Sequence, residues 1–247
     1  MREKHNITSA VLVDSVTKRF RGQERPALRE LSCRVMPGAA VALLGANGSG
    51  KTTLLRILAT ILAPDSGSAS VAGCDALREP ERLRENLGAL LGARGGLYDR
   101  LTVRENLTYF ARLSGLPREE ITDRVESMAT RFEVRPILDA RTETLSTGMR
   151  QRVAVLRALI HSPRVLLLDE PSTGLDLAAA GELQNTLRTI REGGTTMLIA
   201  THDLHLVTES CNRLLLLREG TLLREAEIDE TLTSEELRRS LLKEIAS

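Results

Sequence analysis

Gly45-Ala46-Asn47-Gly48-Ser49-Gly50-Lys51-Thr52 matches the phosphate-binding pattern G-x-x-x-x-G-K-[ST], and its neighbours are the ones that pattern requires. Before it, Ala39–Leu44 is a continuous run of small apolar residues, which predicts a strand buried on both faces. After it, Thr52–Thr60 carries helical spacing. Glycines let backbone N–H groups curl around a phosphate, and the helix N-terminus adds partial positive charge. In this pattern the lysine, Lys51, bridges the β- and γ-phosphates of a nucleotide, and the hydroxyl of Thr52 holds Mg²⁺.

A second half of such a site stands further along. Val165-Leu166-Leu167-Leu168-Asp169 reads as a buried strand that delivers a carboxylate from its C-terminal end, where ligands bind in open α/β sheets. Asp169 is expected to serve Mg²⁺, which takes carboxylates and keeps several waters. Glu170, next in the chain, is placed to polarise an attacking water.

Around these two stretches, strand and helix patterns alternate. Ala10–Val16, Leu31–Val35, Gly67–Gly73 and Leu87–Leu91 read as strands, with a polar loop at Arg21–Pro26. From residue 92 the texture changes to charged amphipathic helices at Arg104–Ser114, Glu119–Arg131 and Met149–His161. Alternation then returns with a helix at Ala178–Arg191, strands at Thr195–Ala200 and Leu214–Leu217, and a short helix at Asp203–Ser210. Ser234–Ile245 predicts a last helix, opened by a capping box of Thr233 and Glu236. This order predicts a mostly parallel sheet with helices on both faces and a helical insertion.

Composition narrows the function classes. The 34 basic residues balance 33 acidic ones, so net charge offers no pull toward nucleic acid. Aromatics are confined to Phe20, Phe110, Phe132, Tyr98 and Tyr109, too few for a base-stacking platform. Cys33, Cys74 and Cys211 show no metal-ligand spacing and read as buried thiols of a reducing compartment. No apolar run approaches the ~20 residues needed to cross a bilayer, and the start carries no signal-peptide pattern.

Five motifs occur in one order and spacing: the phosphate loop, Leu145-Ser146-Thr147-Gly148-Met149, Leu166–Pro171, Ser172-Thr173-Gly174-Leu175-Asp176, and Ala200-Thr201-His202-Asp203. Together they resemble the ATPase subunit of an ATP-binding cassette (ABC) transporter, from about Val11 to Arg224. The resemblance implies a single nucleotide-binding domain over residues 1–247 with the α/β fold of P-loop NTPases. Its parts are a parallel sheet with helices on both faces, an N-terminal antiparallel β subdomain and an inserted helical subdomain. Residues 1–91 and 164–228 would form the core, 92–163 the helical subdomain, and 229–247 the C-terminal helix.

The same resemblance implies roles by position. Glu170 is the expected general base, with Lys51 and the switch histidine His202 on the γ-phosphate. Phe20 stands where the family stacks an aromatic on adenine, although core filling is the alternative. Nucleotide contacts are expected from Gly45, Asn47, Gly48, Ser49, Gly50, Lys51, Thr52 and Thr53, and Mg²⁺ contacts from Thr52 and Asp169. Ser146 and Gly148 match a signature loop that serves the ATP of the opposite subunit. Asp176 matches the loop that crosses between subunits, and is equally compatible with a helix N-cap.

Two departures stand out. Thr147 and Met149 replace the usual first glycine and final glutamine of the signature loop. The family's metal-binding glutamine is also missing: Gln23, Gln151 and Gln184 all lie elsewhere, and Leu87–Leu91 runs into Gly92-Ala93-Arg94-Gly95-Gly96. The segment from Leu97 to Leu107 still resembles exporter-type members, such as the sodium-efflux, drug and polysaccharide groups. It presents Leu97-Tyr98 as an apolar docking loop.

The expected function is ATP hydrolysis that powers transport through a separate integral-membrane subunit. Expected partners are ATP, Mg²⁺ and a second nucleotide-binding subunit (a homodimer), with no nucleic acid. The expected location is cytoplasmic, peripheral on the inner face of the cell membrane. The alternative is a soluble ABC ATPase acting in assembly, such as Fe–S assembly, or in regulation.

Overall fold

The computed structural model describes residues 9–92, 96–229 and 233–245. Ala93, Arg94 and Gly95, in the stretch that stands where the family has its metal-binding glutamine, lie outside the described residues, as do residues 1–8. In chain order the elements begin β1 (Val11–Lys18), β2 (Leu28–Val35), β3 (Ala40–Leu44), α1 (Lys51–Leu58), β4 (Ser66–Val71), β5 (Cys74–Asp75), α2 (Pro80–Glu85) and β6 (Leu87–Leu90). Three helices follow, α3 (Val103–Leu113), α4 (Arg118–Arg131) and α5 (Thr147–Leu159). The chain ends in β7 (Val165–Asp169), α6 (Leu177–Glu192), β8 (Thr196–Ala200), α7 (Leu204–Ser210), β9 (Arg213–Arg218), β10 (Thr221–Glu227) and α8 (Ser234–Ile245).

Two sheets result. Strands β2-β1-β4-β5 form an antiparallel sheet, and β10-β9-β3-β8-β7-β6 form a second one that is parallel except for the β9–β10 hairpin. Because side chains alternate across a strand, the parallel sheet divides its residues between two cores. Ala40, Ala42, Leu44, Leu166, Leu168, Met197, Ile199, Leu214 and Leu216 face the core built with α3 to α7. Val41, Leu43, Val165, Leu167, Leu198, Leu215 and Leu217 face the other, which is closed by α1, by Leu83 of α2 and by the antiparallel sheet. The helices therefore do cover both faces, and on the second face α1 lies between two sheets. That position explains its composition: Leu54, Leu55, Ile57 and Leu58 are all fully buried.

Local signals place the helix starts. Thr102 opens α3 with a complete capping box, its hydroxyl accepting from the Glu105 N–H and Glu105 accepting from the Thr102 N–H. Thr233 and Glu236 form the same arrangement at α8.

Three elements were not legible in the sequence. Helix α2 has six residues and one buried side chain, Leu83, so it shows no helical period. Strand β5 has two residues. Strand β10 is an edge strand with no fully buried residue and three charges, a composition that reads as loop until β9 supplies its partner.

Truncation of the α1 core follows from this packing. Leu55→Ala is expected to lower unfolding free energy by about 2–5 kcal/mol, the range for leucine truncation in a core. Urea unfolding followed by circular dichroism measures it, and a loss near zero would show that α1 is not the wedge between the sheets.

Candidate functional site

The phosphate loop connects the C-terminal end of β3 to α1 and is held by very close backbone packing. Gly45 has φ +152°, and a Cβ there would sit 2.4 Å from both the Leu217 carbonyl oxygen and Ser49 Oγ. Gly50 has φ +108°, and its Cβ would meet the Ala27 carbonyl oxygen at 2.6 Å. Both positions therefore exclude a side chain for steric as well as torsional reasons. Lys51 is almost wholly buried, its Nζ donating to the carbonyl oxygens of Gly45 at 2.6 Å and Ala46 at 3.3 Å. Ser49 Oγ is buried in the same loop without a hydrogen-bond partner among the described residues. A curled loop with an orphaned hydroxyl, an ammonium and a helix N-terminus fits a polyphosphate.

The parallel pairing of β3, β8 and β7 brings the remaining polar groups to the same sheet edge. Thr52 Oγ1 donates to Asp169 Oδ1 at 3.2 Å. Asp169 is half-buried, and desolvation is the main cause that raises its carboxyl above the ordinary value, assisted by the Glu170 charge and opposed by the Thr52 hydrogen bond. An oxygen-donor pair around an under-compensated carboxylate is the donor chemistry that suits Mg²⁺.

Glu170 follows at once, with φ +50°, a left-handed conformation uncommon for a side chain of this size. The β7–β8 register explains how it is held: Asp169 pairs with Ala200, and the Glu170 N–H donates to the Ala200 carbonyl at 2.8 Å. That turn sets Glu170 Oε2 2.8 Å from His202 Nδ1, joining residues 32 apart in sequence. An ionised carboxylate only accepts, so Nδ1 carries the proton in this contact.

A cleft of about 670 Å³ contains Phe20, Asn47, Gly48, Ser49, Gly50, Lys51, Thr52, Thr53 and Glu170 in its lining. Phe20 is half-buried there and packs into neither hydrophobic core, so the core-filling alternative does not describe it. Gly45 lines a smaller adjoining hollow behind the loop. The cleft also takes in Gln23, Glu24, Arg25, Pro26 and Glu219, none of which was singled out in the sequence. The polar loop Arg21–Pro26 was the one signal available, and nothing local marked Glu219.

Ser146, Gly148 and Asp176 do not line this cleft. Ser146 caps α5, its hydroxyl accepting from the Met149 N–H at 3.2 Å. Asp176 caps α6, accepting from the Ala179 N–H at 2.8 Å, so its N-cap reading describes the free chain. A Cβ on Gly148 would lie 2.4 Å from that of Ala179, so the first turn of α5 rests directly on the first turn of α6. Leu97 is half-buried against the core rather than presented, and the exposed group of that loop is Tyr98. Tyr98 stacks on Phe110 and meets Tyr109 edge-on, while fully buried Asn106 pins its backbone from both sides.

A sequence model of the ABC transporter family matches residues 28–173. The ABC transporter ATP-binding protein NatA of Bacillus subtilis is 36% identical over 227 residues, 91% of this chain and 92% of its own length. The daunorubicin resistance ATP-binding protein DrrA3 of Streptomyces coeruleorubidus is 36% identical over 90% of this chain and 69% of its own. Among solved structures, cbiO1 of Clostridium perfringens, part of an ABC transporter complex, superposes with TM-score 0.83 and 29% identity, covering 95% of this chain and 94% of its own. The ATP-binding cassette MJ0796, in a dimeric post-hydrolysis state with ADP and Pi, superposes with TM-score 0.77 and 26% identity, covering 89% of this chain and 99% of its own.

The raised Asp169 carboxyl has a pH consequence. The fold binds that proton more tightly than the unfolded chain does, so Asp169 subtracts stability as pH rises from its ordinary value of 3.8 through its raised folded value. Asp169→Asn is therefore expected to leave the nucleotide-free protein at least as stable as the parent at pH 7 in EDTA, while removing the added thermal stabilisation by Mg-ATP. Thermal unfolding with and without Mg-ATP reads both, and an Asn variant that melts lower in EDTA would sink the electrostatic reading.

Proposed function

Because the chain belongs to the ABC transporter family and is an ATPase of that family, we propose that it works as an ATP-driven dimer that powers export through a separate membrane subunit. The observation that carries this reading is the division of the site. Within one chain the cleft gathers Asn47 to Thr53, Phe20 and Glu170. Hydrogen bonds join Asp169 to Thr52 and His202 to Glu170, whereas Ser146 and Asp176 are engaged in capping their own helices. A two-fold dimer would give each cleft the α5 start of the other copy, and ATP would then lie between the chains. The dimeric state of the MJ0796 cassette supports that arrangement.

The residues divide the chemistry as follows. Lys51 exchanges the Gly45 and Ala46 carbonyls for phosphate oxygens, and the loop N–H groups surround the same phosphates. Phe20 stacks on the adenine at the cleft rim. Thr52 and Asp169 hold Mg²⁺, whose contribution is to neutralise charge on the phosphates. His202 Nδ1–H fixes Oε2 of Glu170, which leaves Oε1 to take a proton from water as its oxygen bonds to the γ-phosphorus and ADP leaves. For His202 also to donate from Nε2 to the γ-phosphate, the ring must carry both protons.

Export is supported by relatives named for daunorubicin resistance and for Nod factor export. No helix among the described residues is long and apolar enough to cross a membrane, and this reading assigns the path for the cargo to another chain. Tyr98 and Tyr109, 49% and 41% exposed beside exposed Leu113, form the aromatic surface on which that subunit would dock. On this reading the protein works at the cytoplasmic face of the membrane.

Glu170→Gln is expected to retain ATP, accumulate as a dimer and lose turnover by roughly 10²–10⁴-fold, the range for removing a general base. Lys51→Ala should stay monomeric. Size-exclusion chromatography in Mg-ATP with a phosphate-release assay reads both. A Glu170→Gln protein that turns over normally, or elutes as a monomer at saturating ATP, would overturn the base or the dimer respectively. Tyr98→Asp should keep nucleotide affinity while losing membrane association in flotation assays, and equal association of parent and variant would remove Tyr98 from the docking surface.

A further inference from the structure

A second cavity, of about 550 Å³, opens at the opposite edge of the parallel sheet, beside the N-terminal ends of β7 and β8. One wall is α4 and the residue that follows it, which contribute Arg124, Met128, Arg131 and Phe132; the facing wall contains Ile190 of α6 and the turn Gly193–Thr196. Arg164, at the start of β7, completes the rim. No Asp or Glu lines the cavity. None of the three arginines forms an ion pair among the described residues, in a chain whose net charge is only +1.

The guanidinium groups are held, but only by carbonyl dipoles. Arg124 donates from Nε to the Ile160 carbonyl at 2.9 Å and from Nη2 to that of Leu159 at 3.0 Å. It is half-buried, so its charge is desolvated without a counter-ion. Arg131 donates from Nη2 to the Thr189 carbonyl at 3.0 Å, and its guanidinium lies over the Phe132 ring at 5.4 Å. The approach of Arg131 requires Gly193, where a Cβ would fall 2.3 Å from Nη2. Each of these arginines keeps N–H donors beyond those used, and the Arg164 side chain makes no hydrogen bond or ion pair among the described residues. Between the cations the lining contains apolar Met128, Phe132, Leu159 and Ile190, with the hydroxyls of Ser127 and Ser162 beside them.

A concave, mostly apolar pocket with a few convergent charged donors is the form of a small-molecule site, and its volume falls within the ~300–1,000 Å³ such sites span. We propose that this cavity binds a small organic anion with an aromatic or apolar body. Arg131 and Arg164, with Arg124 behind them, take the phosphate, sulfonate or carboxylate, and the body lies against Met128, Phe132 and Ile190. Such a ligand touches both the helical segment and the sheet core, so binding favours the arrangement in which those two walls are together. The site does not depend on the transport reading, because it shares no residue with the nucleotide cleft.

Isothermal titration calorimetry with 1-naphthyl phosphate tests it, on the full chain with saturating Mg-ADP so that the nucleotide cleft is filled. The expected result is one molecule bound per chain, with inorganic phosphate and 1-naphthol each at least tenfold weaker. Arg164→Glu, at a side chain with no structural hydrogen bond, should weaken the probe at least tenfold and leave ADP affinity and the circular dichroism spectrum unchanged. Arg131→Ala should weaken it in the same direction. No heat of binding, equal binding of 1-naphthol, competition with ADP, or undiminished binding by both variants would each overturn the proposal.

Discussion

The placement of α1 between two sheets is the constraint on which the rest depends. Its four apolar side chains from Leu54 to Leu58 are fully buried, so the helix has no freedom to tilt without opening the core between the two sheets. Its N-terminus is thereby fixed at the C-terminal edge of β3, and the loop between them must close in very little space. Gly45 and Gly50 meet that demand because carbonyl oxygens of Leu217 and Ala27 occupy the room a side chain would need. The loop that faces phosphate is thus set by packing behind it, before any ligand arrives.

The same sheet distributes the polar groups of the candidate site. Parity along β3, β7, β8 and β9 sends alternate residues to two separate cores, which leaves the strand ends as the place where polar side chains meet water. Asp169 and Thr52 meet because β7 lies within reach of the start of α1. Glu170 and His202 meet because β7 and β8 are neighbours in register, with Asp169 opposite Ala200. The left-handed backbone at Glu170 is part of this arrangement, since it turns the carboxylate back toward β8. Strain at a residue of this kind is tolerated where the surroundings over-determine it, and here the Ala200 carbonyl does so.

The helical segment behaves differently. Ser146 is engaged in capping α5, Asp176 of the core caps α6, and the two helix starts touch through Gly148 and Ala179. That contact ties the position of α5 to the start of α6. Alternatives to transport, in assembly or regulation, use the same half-site, and the relatives named for drug resistance and Nod factor export are what weigh toward export.

Much of this was legible in the chain. The phosphate loop, Asp169 and the order of strands and helices are local patterns, written in residue type and in periods of two and 3.6, and they read without knowledge of neighbours. What the sequence left open was every relation across space. Strand order, the pairing of Glu170 with His202, the entry of Arg25 and Glu219 into the cleft, and the exclusion of Ser146 from it were settled by the tertiary structure. So were the short α2 and the charged edge strand β10, which lack a period of their own and form because their neighbours complete them. Periodicity reports which face of an element is buried, because that follows from backbone geometry within a few residues. It does not report against what, because that depends on which distant surfaces fit together.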